Sequence, residues 1–363
     1  MIELKRYLED LEARISPAAE NALAEQWRAF CALGCQDEFF SPQRLPAPPH
    51  ISWPNVPLNA ALDDMEAMLY TQLKGASDEL EKGSGLMLSV RANYGTGIIP
   101  TMFGAELLYL NDDAGMLPGA RPLPGGVDAL RAIVDAHRID YQRGLSPRVF
   151  EFGARWNDLV RDYPNLAKHV HVYNPDLQGP FALIDMLAGS GLYLALYDEP
   201  ELVHAALDFM TELYIDYTRR WQALCPPYDE VHSIEWGLMH RGRTMLRNDA
   251  IVNLSEAMYR EFAQPYDARI FKALGGGMHF CGRGDHYIAA ACELTGLSCI
   301  NMSQPELNDM ERIYAATIDN DILIIGMPPA EIMRAGRAGR HLHGRVQSGA
   351  SLAAYLSGNC MKQ

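Results

Sequence analysis

The sequence lacks an excess of basic residues. It has 31 lysines and arginines against 46 aspartates and glutamates, which gives a net charge of −15 at pH 7. Nucleic-acid-binding proteins need a basic surface to meet phosphates, and anionic membranes attract basic segments. The composition therefore argues against a nucleic-acid partner, and it gives no indication of a membrane partner.

Long apolar runs are also lacking. The opening stretch, MIELKRYLEDLEARI, is charged and patterned as a helix, without the apolar run of a secretory signal. No stretch is expected to span a bilayer. The seven cysteines are an odd number scattered along the chain, which favours a reducing compartment over a disulfide framework. We therefore expect a cytoplasmic protein.

The chain does contain apolar strand-like runs that alternate with helical patterns. Such alternation indicates parallel strands joined by crossover helices, and 363 residues suffice for one α/β barrel. We predict an α/β fold, a (β/α)8 TIM barrel over 86–363, with an open doubly wound sheet as the alternative. The predicted strands are 86–91, 169–174, 231–236, 277–281, 297–301, 321–326 and 352–357, with an eighth within 114–126. The predicted helices are 126–142, 155–164, 198–223, 255–273, 285–295 and 306–318.

Residues 1–85 form a predicted N-terminal helical extension. Apolar residues recur at helical spacing in 1–35, and 60–82 is predicted as a further helix. Between them, 41–58 contains six prolines, which favours an extended arm over a core element. The arm is interpreted either as a surface connector or as a segment that embraces the second subunit of a homodimer.

The stretch GGGMHFCGRG places a histidine and a cysteine two residues apart near the end of a predicted strand. Side chains alternate along a strand, so His279 and Cys281 point the same way. Barrel enzymes place their chemistry at this end of their strands. Cys360 follows the last predicted strand and would reach the same rim if the barrel closes. Each residue alone is more typical of an ordinary core position. Imidazole and thiolate suit zinc, however, and their combination on one face of a strand end, with a distant cysteine, predicts a metal site of His279, Cys281 and Cys360.

Polar residues at other predicted strand ends are candidates for a shared pocket. Glu235 ends its strand in IEWG and serves as a general acid, a substrate contact or a fourth metal ligand, unless it merely pairs with Arg241 or Arg243. Asp176 follows another strand in NPDLQGP. We predict Glu235 and Asp176 as catalytic residues, with loop bracing as the alternative for such rim groups. The predicted substrate-binding residues are Arg91, Asn93, Tyr94, Gln178, Asn301 and Gln304.

Several stretches together resemble the uroporphyrinogen decarboxylase superfamily. They are DLQGPFALIDMLAGSGLYLALYDEPELVHAALDFMTELY, LSEAMYREFAQPYDARIF leading into GGGMHFCGRG, and the predicted strand that ends at Cys360. The resemblance extends over about residues 86–360 and implies a (β/α)8 barrel. It implies one of two chemistries: metal-free decarboxylation of a porphyrinogen, or zinc-assisted methyl transfer to or from a corrinoid protein.

The methyltransferase branch is the closer of the two. Its zinc ligands are a His-x-Cys pair and a cysteine near the C-terminus, which His279, Cys281 and Cys360 match. The decarboxylases bind the carboxylates of their substrate through an arginine-rich segment. This chain lacks that segment, and only Arg91 could correspond to one of its arginines. The resemblance thus implies Zn²⁺, cobalamin carried by a separate corrinoid protein, and a small-molecule methyl donor or acceptor. A metal-free carboxy-lyase and a non-catalytic metal- or ligand-binding member are the alternatives.

Overall fold

The computed structural model describes residues 3–109 and 116–349. The predicted strand 352–357, the predicted ligand Cys360 and part of the region of the eighth predicted strand lie outside them. The strands are β1 (Ser89–Val90), β2 (Leu107–Leu108), β3 (Gly119–Ala120), β4 (His171–Val172), β5 (His232–Glu235), β6 (Leu238–Arg241), β7 (Thr244–Arg247), β8 (Gly276–Phe280), β9 (Leu297–Met302), β10 (Leu323–Met327) and β11 (Val346–Ser348).

Helices surround these strands. They are α1 (Leu4–Arg14), α2 (Pro17–Cys31), α3 (Leu58–Asp63), α4 (Met65–Lys82), α5 (Ile98–Met102), α6 (Val127–Ala136), α7 (Ser146–Leu159), α8 (Pro164–His169), α9 (Pro180–Ala188), α10 (Leu192–Asp198), α11 (Pro200–Leu224), α12 (Glu256–Phe262), α13 (Gln264–Leu274), α14 (Ile288–Cys292), α15 (Met310–Ala316) and α16 (Pro329–Arg337).

A parallel sheet carries the second half of the chain. Strands β7 to β11 lie side by side in chain order, and every pairing between them is parallel. Strands β1 and β4 form a second parallel pair, and a bridge between Gln178 and Arg247 links the segment after β4 to β7. The mixed α/β fold with parallel strands is confirmed. Over the described ranges these ladders remain separate sheets, so closure into a barrel stays a prediction.

One part of the predicted alternation is wrong. Strand β5 does not lead into a helix but turns back into β6, with which it pairs antiparallel. The two turn residues, Trp236 and Gly237, have φ values of 52° and 78°. A two-residue turn with both φ values positive matches the twist of a hairpin. Strands β6 and β7 were not predicted, because each has only four residues and they follow one another without a helix.

Helix boundaries differ from the prediction where proline or a cap decides them. Helix α7 begins at Ser146 rather than near 155, with a proline in its first turn, where the missing N–H costs nothing. The predicted helix 255–273 is two helices, α12 and α13, and α13 again has proline in its first turn. His169, at which the predicted strand 169–174 starts, is the last residue of helix α8, and β4 begins at His171.

The proline-rich arm packs on the chain's own N-terminal helices. The Trp53 ring lies 4.7 Å from the ring of Tyr7, and its indole N–H donates to Asp10 at 3.0 Å. Arg44 forms a buried ion pair with Glu20 at 2.9 Å. In helix α2, Trp27 and other apolar side chains share a buried cluster with residues of β6, β7, β9 and β10. The helical extension is thus part of the core, and the predicted boundary at residue 85 stays untested.

One segment corrects the expectation about apolar runs. Among the described residues, Pro180–Asp198 is long and apolar enough to cross a membrane by length and composition. In the structure it is two helices, α9 and α10, separated by a 3-10 turn at Gly189–Gly191. A little over half of this segment, 56%, is buried inside the protein. A core helix of a folded domain passes the same test of length and composition.

A buried carboxyl on α13 is expected to make stability depend on pH. Asp267 is 2% exposed and accepts hydrogen bonds from the Asn248 amide at 2.8 Å and the Tyr259 hydroxyl at 3.3 Å. Burial raises its pKa from 3.8 to about 8, although both donors oppose the shift. A carboxyl with a raised folded-state pKa binds its proton more tightly in the native state. The stability it contributes is therefore complete at low pH and is lost as pH rises through about 8.

Asp267→Asn is expected to remove this dependence. For wild type, the free energy of unfolding from urea titrations should fall by up to about 1.4 kcal/mol per pH unit from this group between about pH 4 and pH 8. The asparagine variant should lose that slope and be the more stable protein at pH 8. Equal slopes for the two proteins would show that Asp267 is not held neutral in the folded state.

Candidate metal centre

Three potential metal ligands meet where strands β7 and β8 end. His279 is on β8, Cys281 follows that strand directly, and Asp249 follows β7. The Nε2 atom of His279 lies 3.4 Å from the Cys281 sulfur and 3.6 Å from Oδ1 of Asp249. Parallel strands bring their carboxyl ends to one edge, so the fold alone places these side chains together. We refer to Asp249, His279 and Cys281 as the donor set.

The spacing of the donor set fits zinc. Zinc bonds imidazole nitrogen and carboxylate oxygen at about 2.0–2.2 Å and thiolate sulfur at about 2.3 Å, in a tetrahedron. Atoms on such bonds are separated from one another by about 3.3–3.7 Å. Both separations from His279 Nε2 lie in that range, and all three donor atoms are within 4.8 Å of one another. Three ligands also leave a tetrahedral ion one open position, as catalytic zinc requires.

Burial sets the protonation of the donor set. It lowers the pKa of His279, with the Asp249 carboxylate opposing, so the imidazole is neutral at pH 7 and has a free lone pair. Burial also raises the pKa of the Cys281 thiol, and the Ser303 hydroxyl opposes that shift. A bound cation would favour the thiolate form of Cys281 over the thiol, because its positive charge stabilises the negative charge on the sulfur.

Three amide side chains at neighbouring strand ends contact the donor set or its backbone. Asn301 Oδ1 lies 2.6 Å from Nδ1 of His279, and Gln178 Nε2 donates to Oδ2 of Asp249 at 3.1 Å. The Gln304 carbonyl accepts from the N–H of Gly282, directly after Cys281, at 2.6 Å. The structure places these three residues against the donor set, and their predicted role in substrate binding stays a prediction.

A buried cluster of charges adjoins the donor set. Arg247 is 2% exposed and lies between two carboxylates, 3.3 Å from Asp176 and 3.0 Å from Glu235. Arg91 pairs with the other oxygen of Asp176 at 3.2 Å and donates to Asn93 at 2.7 Å. Gln178, which contacts Asp249, lies 3.5 Å from Asp176 and so connects the two groups. We call Arg91, Asp176, Glu235 and Arg247 the charge cluster.

The two carboxyls of the charge cluster titrate differently. Burial raises the pKa of Glu235 to about 7, against the opposing effects of Arg247 and of the Asn174 amide. At Asp176 burial also raises the pKa, but Arg247 and Arg91 together outweigh it and the net shift is downward. Glu235 therefore exchanges its proton near neutral pH, whereas Asp176 stays ionised. Glu235 pairs with Arg247, whereas the sequence analysis considered Arg241 or Arg243 as partners in its alternative interpretation.

The tip of the β5–β6 hairpin forms one wall of the site. Trp236 packs between the two groups, with its ring 5.1 Å from the His279 ring and 4.7 Å from the Arg247 guanidinium. A tryptophan at φ 52° is strained, and strain of this kind concentrates at functional sites. Beside the hairpin opens a cavity of about 420 Å³, lined by residues that include Trp236, Leu238, His279, Asn301 and Ser303. This volume is in the range of small-molecule pockets.

Not all predicted site residues lie here. Tyr94 is 2% exposed in the main hydrophobic cluster, and burial raises the pKa of its hydroxyl to about 12. Glu235, the last residue of β5, is fully buried, its oxygens are occupied by Asn174 and Arg247, and it is not part of the donor set. The carboxylate beside His279 and Cys281 is that of Asp249.

Asp249, Arg247 and Trp236 were missed by the sequence prediction. The signal for the first two is the short run TMLRND, in which β7 ends two residues before Asp249. Nothing in the local pattern of IEWG distinguishes a strained turn tryptophan from a strand residue.

Comparison with known proteins finds a shared fold. No family model and no curated protein matches the chain. Among solved structures, the chain is similar to a methyltransferase from Methanosarcina mazei, with a TM-score of 0.60 and 15% identity over 91% of this chain and 93% of that one. At this identity the likeness concerns the fold. The chain therefore has the fold of a solved methyltransferase.

Proposed function

We propose that this protein is a zinc-dependent methyltransferase of the uroporphyrinogen decarboxylase superfamily, and that its strands close into a (β/α)8 barrel. It moves a methyl group between a small molecule and a corrinoid protein or a thiol, in the cytoplasm. The observation that carries this proposal is the donor set, of which His279 lines a cavity at the strand ends. The similarity to a solved methyltransferase supports it through the fold.

In this proposal His279, Cys281 and Cys360, the last from outside the described residues, would hold the zinc ion. Asp249 would be a fourth ligand that the substrate displaces, which opens the coordination position that catalytic zinc requires. Zinc bound there supplies Lewis acidity, which favours the thiolate form of a thiol or polarises the leaving group of a methyl donor. With a thiol acceptor, a carbon–sulfur bond forms while the carbon–cobalt bond of the corrinoid partner breaks. The electron pair of that bond stays on cobalt, and the thiol proton is released.

The protein's own residues prepare this exchange. Neutral His279 presents a lone pair, and Trp236 and Leu238 form apolar walls that limit water near the reacting atoms. Asp176, ionised and with a side chain that is 13% exposed, is the carboxylate of the charge cluster that can orient a hydrogen-bond donor of the small molecule. Glu235, with a pKa of about 7, is the group suited to take up or release a proton at neutral pH.

A methyl-transfer assay tests the proposal. Protein loaded with zinc is mixed with methylcobalamin and a low-molecular-weight thiol, and the loss of the methyl–cobalt absorbance is followed. We expect turnover that disappears after chelation and returns with added zinc. The same preparations are assayed for carbon dioxide release from a porphyrinogen.

The second assay addresses the alternative lyase, which one observation favours. Arg91 and Arg247 lie together beside the site, and a pair of arginines suits carboxylate recognition. Both are already paired with Asp176, which leaves neither free in this arrangement. Carbon dioxide release that is insensitive to chelation, without methyl transfer, would replace our proposal with the lyase.

A further inference from the structure

Substrate binding does not account for the hydrogen bonds that the three amide side chains make around the donor set. Asn301, Gln178 and Gln304 lie at three different strand ends, yet each has a hydrogen bond to a donor residue or to the backbone next to one. Asn301 is 9% exposed, and so is His279. The Asn301 side chain lines the cavity, but its amide oxygen and its amide nitrogen both contact other groups of the protein.

The register of the sheet brings Asn301 to His279. The two residues are direct partners across the parallel strands β8 and β9, so their side chains leave the same face next to each other. Asn301 is itself held, because its Nδ2 donates to the carbonyl of Ile325 at 2.7 Å. Only the amide nitrogen can donate to a carbonyl. The amide oxygen must therefore face His279.

This orientation decides the tautomer of the imidazole. The amide oxygen accepts hydrogen bonds and cannot donate, so the Nδ1 atom that it faces at 2.6 Å carries the proton. In a neutral imidazole the lone pair is then on Nε2. That atom is the one directed at Asp249 and Cys281.

A glycine next to Asn301 makes room for the amide. Gly326 on β10 has φ 76°, and a Cβ atom there would lie 2.5 Å from Nδ2 of Asn301. Any larger residue would displace the amide from the Ile325 carbonyl. Two features thus determine the position of Asn301: its hydrogen bond to the Ile325 carbonyl, and the space beside Gly326, which has no side chain.

From these contacts we infer that Asn301 is a positioning residue of the metal centre: it fixes the imidazole of His279 in the tautomer that presents Nε2 to a divalent metal. Gln178 does the equivalent for the carboxylate of Asp249. The inference rests on the proposed metal site, and it replaces the predicted role of Asn301 in substrate binding. Partners of this kind behind a ligating histidine affect metal affinity on the order of 10–100-fold.

The first test uses the metal-free wild-type protein and no variant. Nitrogen-15 NMR of the histidine side chains distinguishes a protonated ring nitrogen from one with a lone pair, and the spectrum of His279→Gln identifies the His279 signals. We expect the proton on Nδ1. A proton on Nε2 would overturn the inference whether or not the protein binds a metal.

The second test compares zinc affinities, measured by competition with a chromophoric chelator. Asn301→Leu, which removes the acceptor at similar size, should bind zinc about 10–100-fold more weakly than wild type. Asn301→Asp keeps an acceptor toward Nδ1 but loses the donor to the Ile325 carbonyl, so it should recover part of the loss. Asn174→Leu removes a similarly buried amide, which donates to Glu235 of the charge cluster, and should leave zinc affinity within about twofold, as expected for a residue outside the donor set.

The outcomes separate the two proposals. Wild type that binds no zinc contradicts the proposed function and leaves the tautomer result standing. Wild type that binds zinc, with Asn301→Leu within twofold of it, contradicts the inference alone. If Asn301→Leu does not fold, Asn301→Ser replaces it, and the wild-type tautomer still decides.

Discussion

Replacing His279 with alanine is expected to abolish the binding of the single zinc ion per chain that the proposed function requires. A zinc site with protein ligands contributes about 10–16 kcal/mol in total, so one of about four ligands accounts for roughly 3 kcal/mol, or two to three orders of magnitude in affinity. Cys281→Ser should have an effect of the same size, because its sulfur lies 3.4 Å from His279 Nε2 in the same donor set. Elemental analysis and chelator competition measure both.

The fold should survive these changes. Cys281 is partly exposed at a strand end, and the apolar clusters that hold the sheet and helices together do not include the donor set. Circular dichroism is the folding check. Cys35→Ser, at another partly exposed cysteine that hydrogen-bonds only locally, is the matched control and should keep its zinc. Wild type without zinc, or His279→Ala with its full content, would make His279 and Cys281 ordinary interior residues.

The same measurement distinguishes two ligand sets. Resemblance implies His279, Cys281 and Cys360, whereas the structure brings Asp249 to the first two. Asp249→Ala and Cys360→Ser should each weaken zinc binding if the site uses all four. Loss of zinc from only one of these variants would identify the third ligand.

Replacing Arg247 with methionine is expected to cause the largest loss of stability. Arg247 is 2% exposed and neutralises two carboxylates, Asp176 and Glu235. Removing one partner from a buried ion pair costs about 3–5 kcal/mol, because a charge then remains buried without compensation. The free energy of unfolding from urea titration should fall by about that amount at pH 8.

The loss should depend on pH in a defined direction. Without Arg247 the folded-state pKa values of Asp176 and Glu235 rise, since the guanidinium no longer favours their ionised forms. Raised carboxyl pKa values mean that stability is lost as pH rises, so the variant should be nearer to wild type at pH 5 than at pH 8.

Two further variants control this result. Arg91→Met removes a side chain that is 12% exposed and has one ion pair, so its effect should be smaller. Adding Glu235→Gln to Arg247→Met removes one uncompensated carboxylate and should recover part of the stability, as a double-mutant cycle would show. An Arg247→Met protein within about 1 kcal/mol of wild type, the range of an exposed pair, would mean that the charge cluster does not stabilise the fold.

The sequence was informative where local pattern and function coincide. The alternation GMHFC, followed by glycine, correctly indicated a strand whose end carries His279 and Cys281, and the structure places Nε2 and sulfur 3.4 Å apart. Gln178, Asn301 and Gln304 were found as polar residues at strand ends. Their partners were not, because a hydrogen bond across strands depends on register and on side-chain direction, which a one-dimensional pattern does not contain.

Asp249 shows the same limit more sharply. It comes after a four-residue strand that itself follows a hairpin, so neither length nor alternation marked it as a site residue. Asp249 is a candidate ligand because β7 and β8 are parallel neighbours. Their pairing places Asp249 beside His279, although the two residues are thirty positions apart in the sequence. Conversely Tyr94 had the right local setting, but its side chain points into the helices.

By itself, then, the sequence determined the α/β character of this protein, the order of most of its strands and helices, and the His-x-Cys pair at a strand end. Those features follow from the periodicity of apolar residues and from the positions of glycine and proline. These signals affect the backbone only within a few residues along the chain. The tertiary structure decided which carboxylate joins the pair, which amide faces the imidazole and which arginine neutralises Glu235. Those choices depend on strand register and on burial, since an ion pair or a tautomer is set by whatever lies within about 4 Å in space, however distant along the chain.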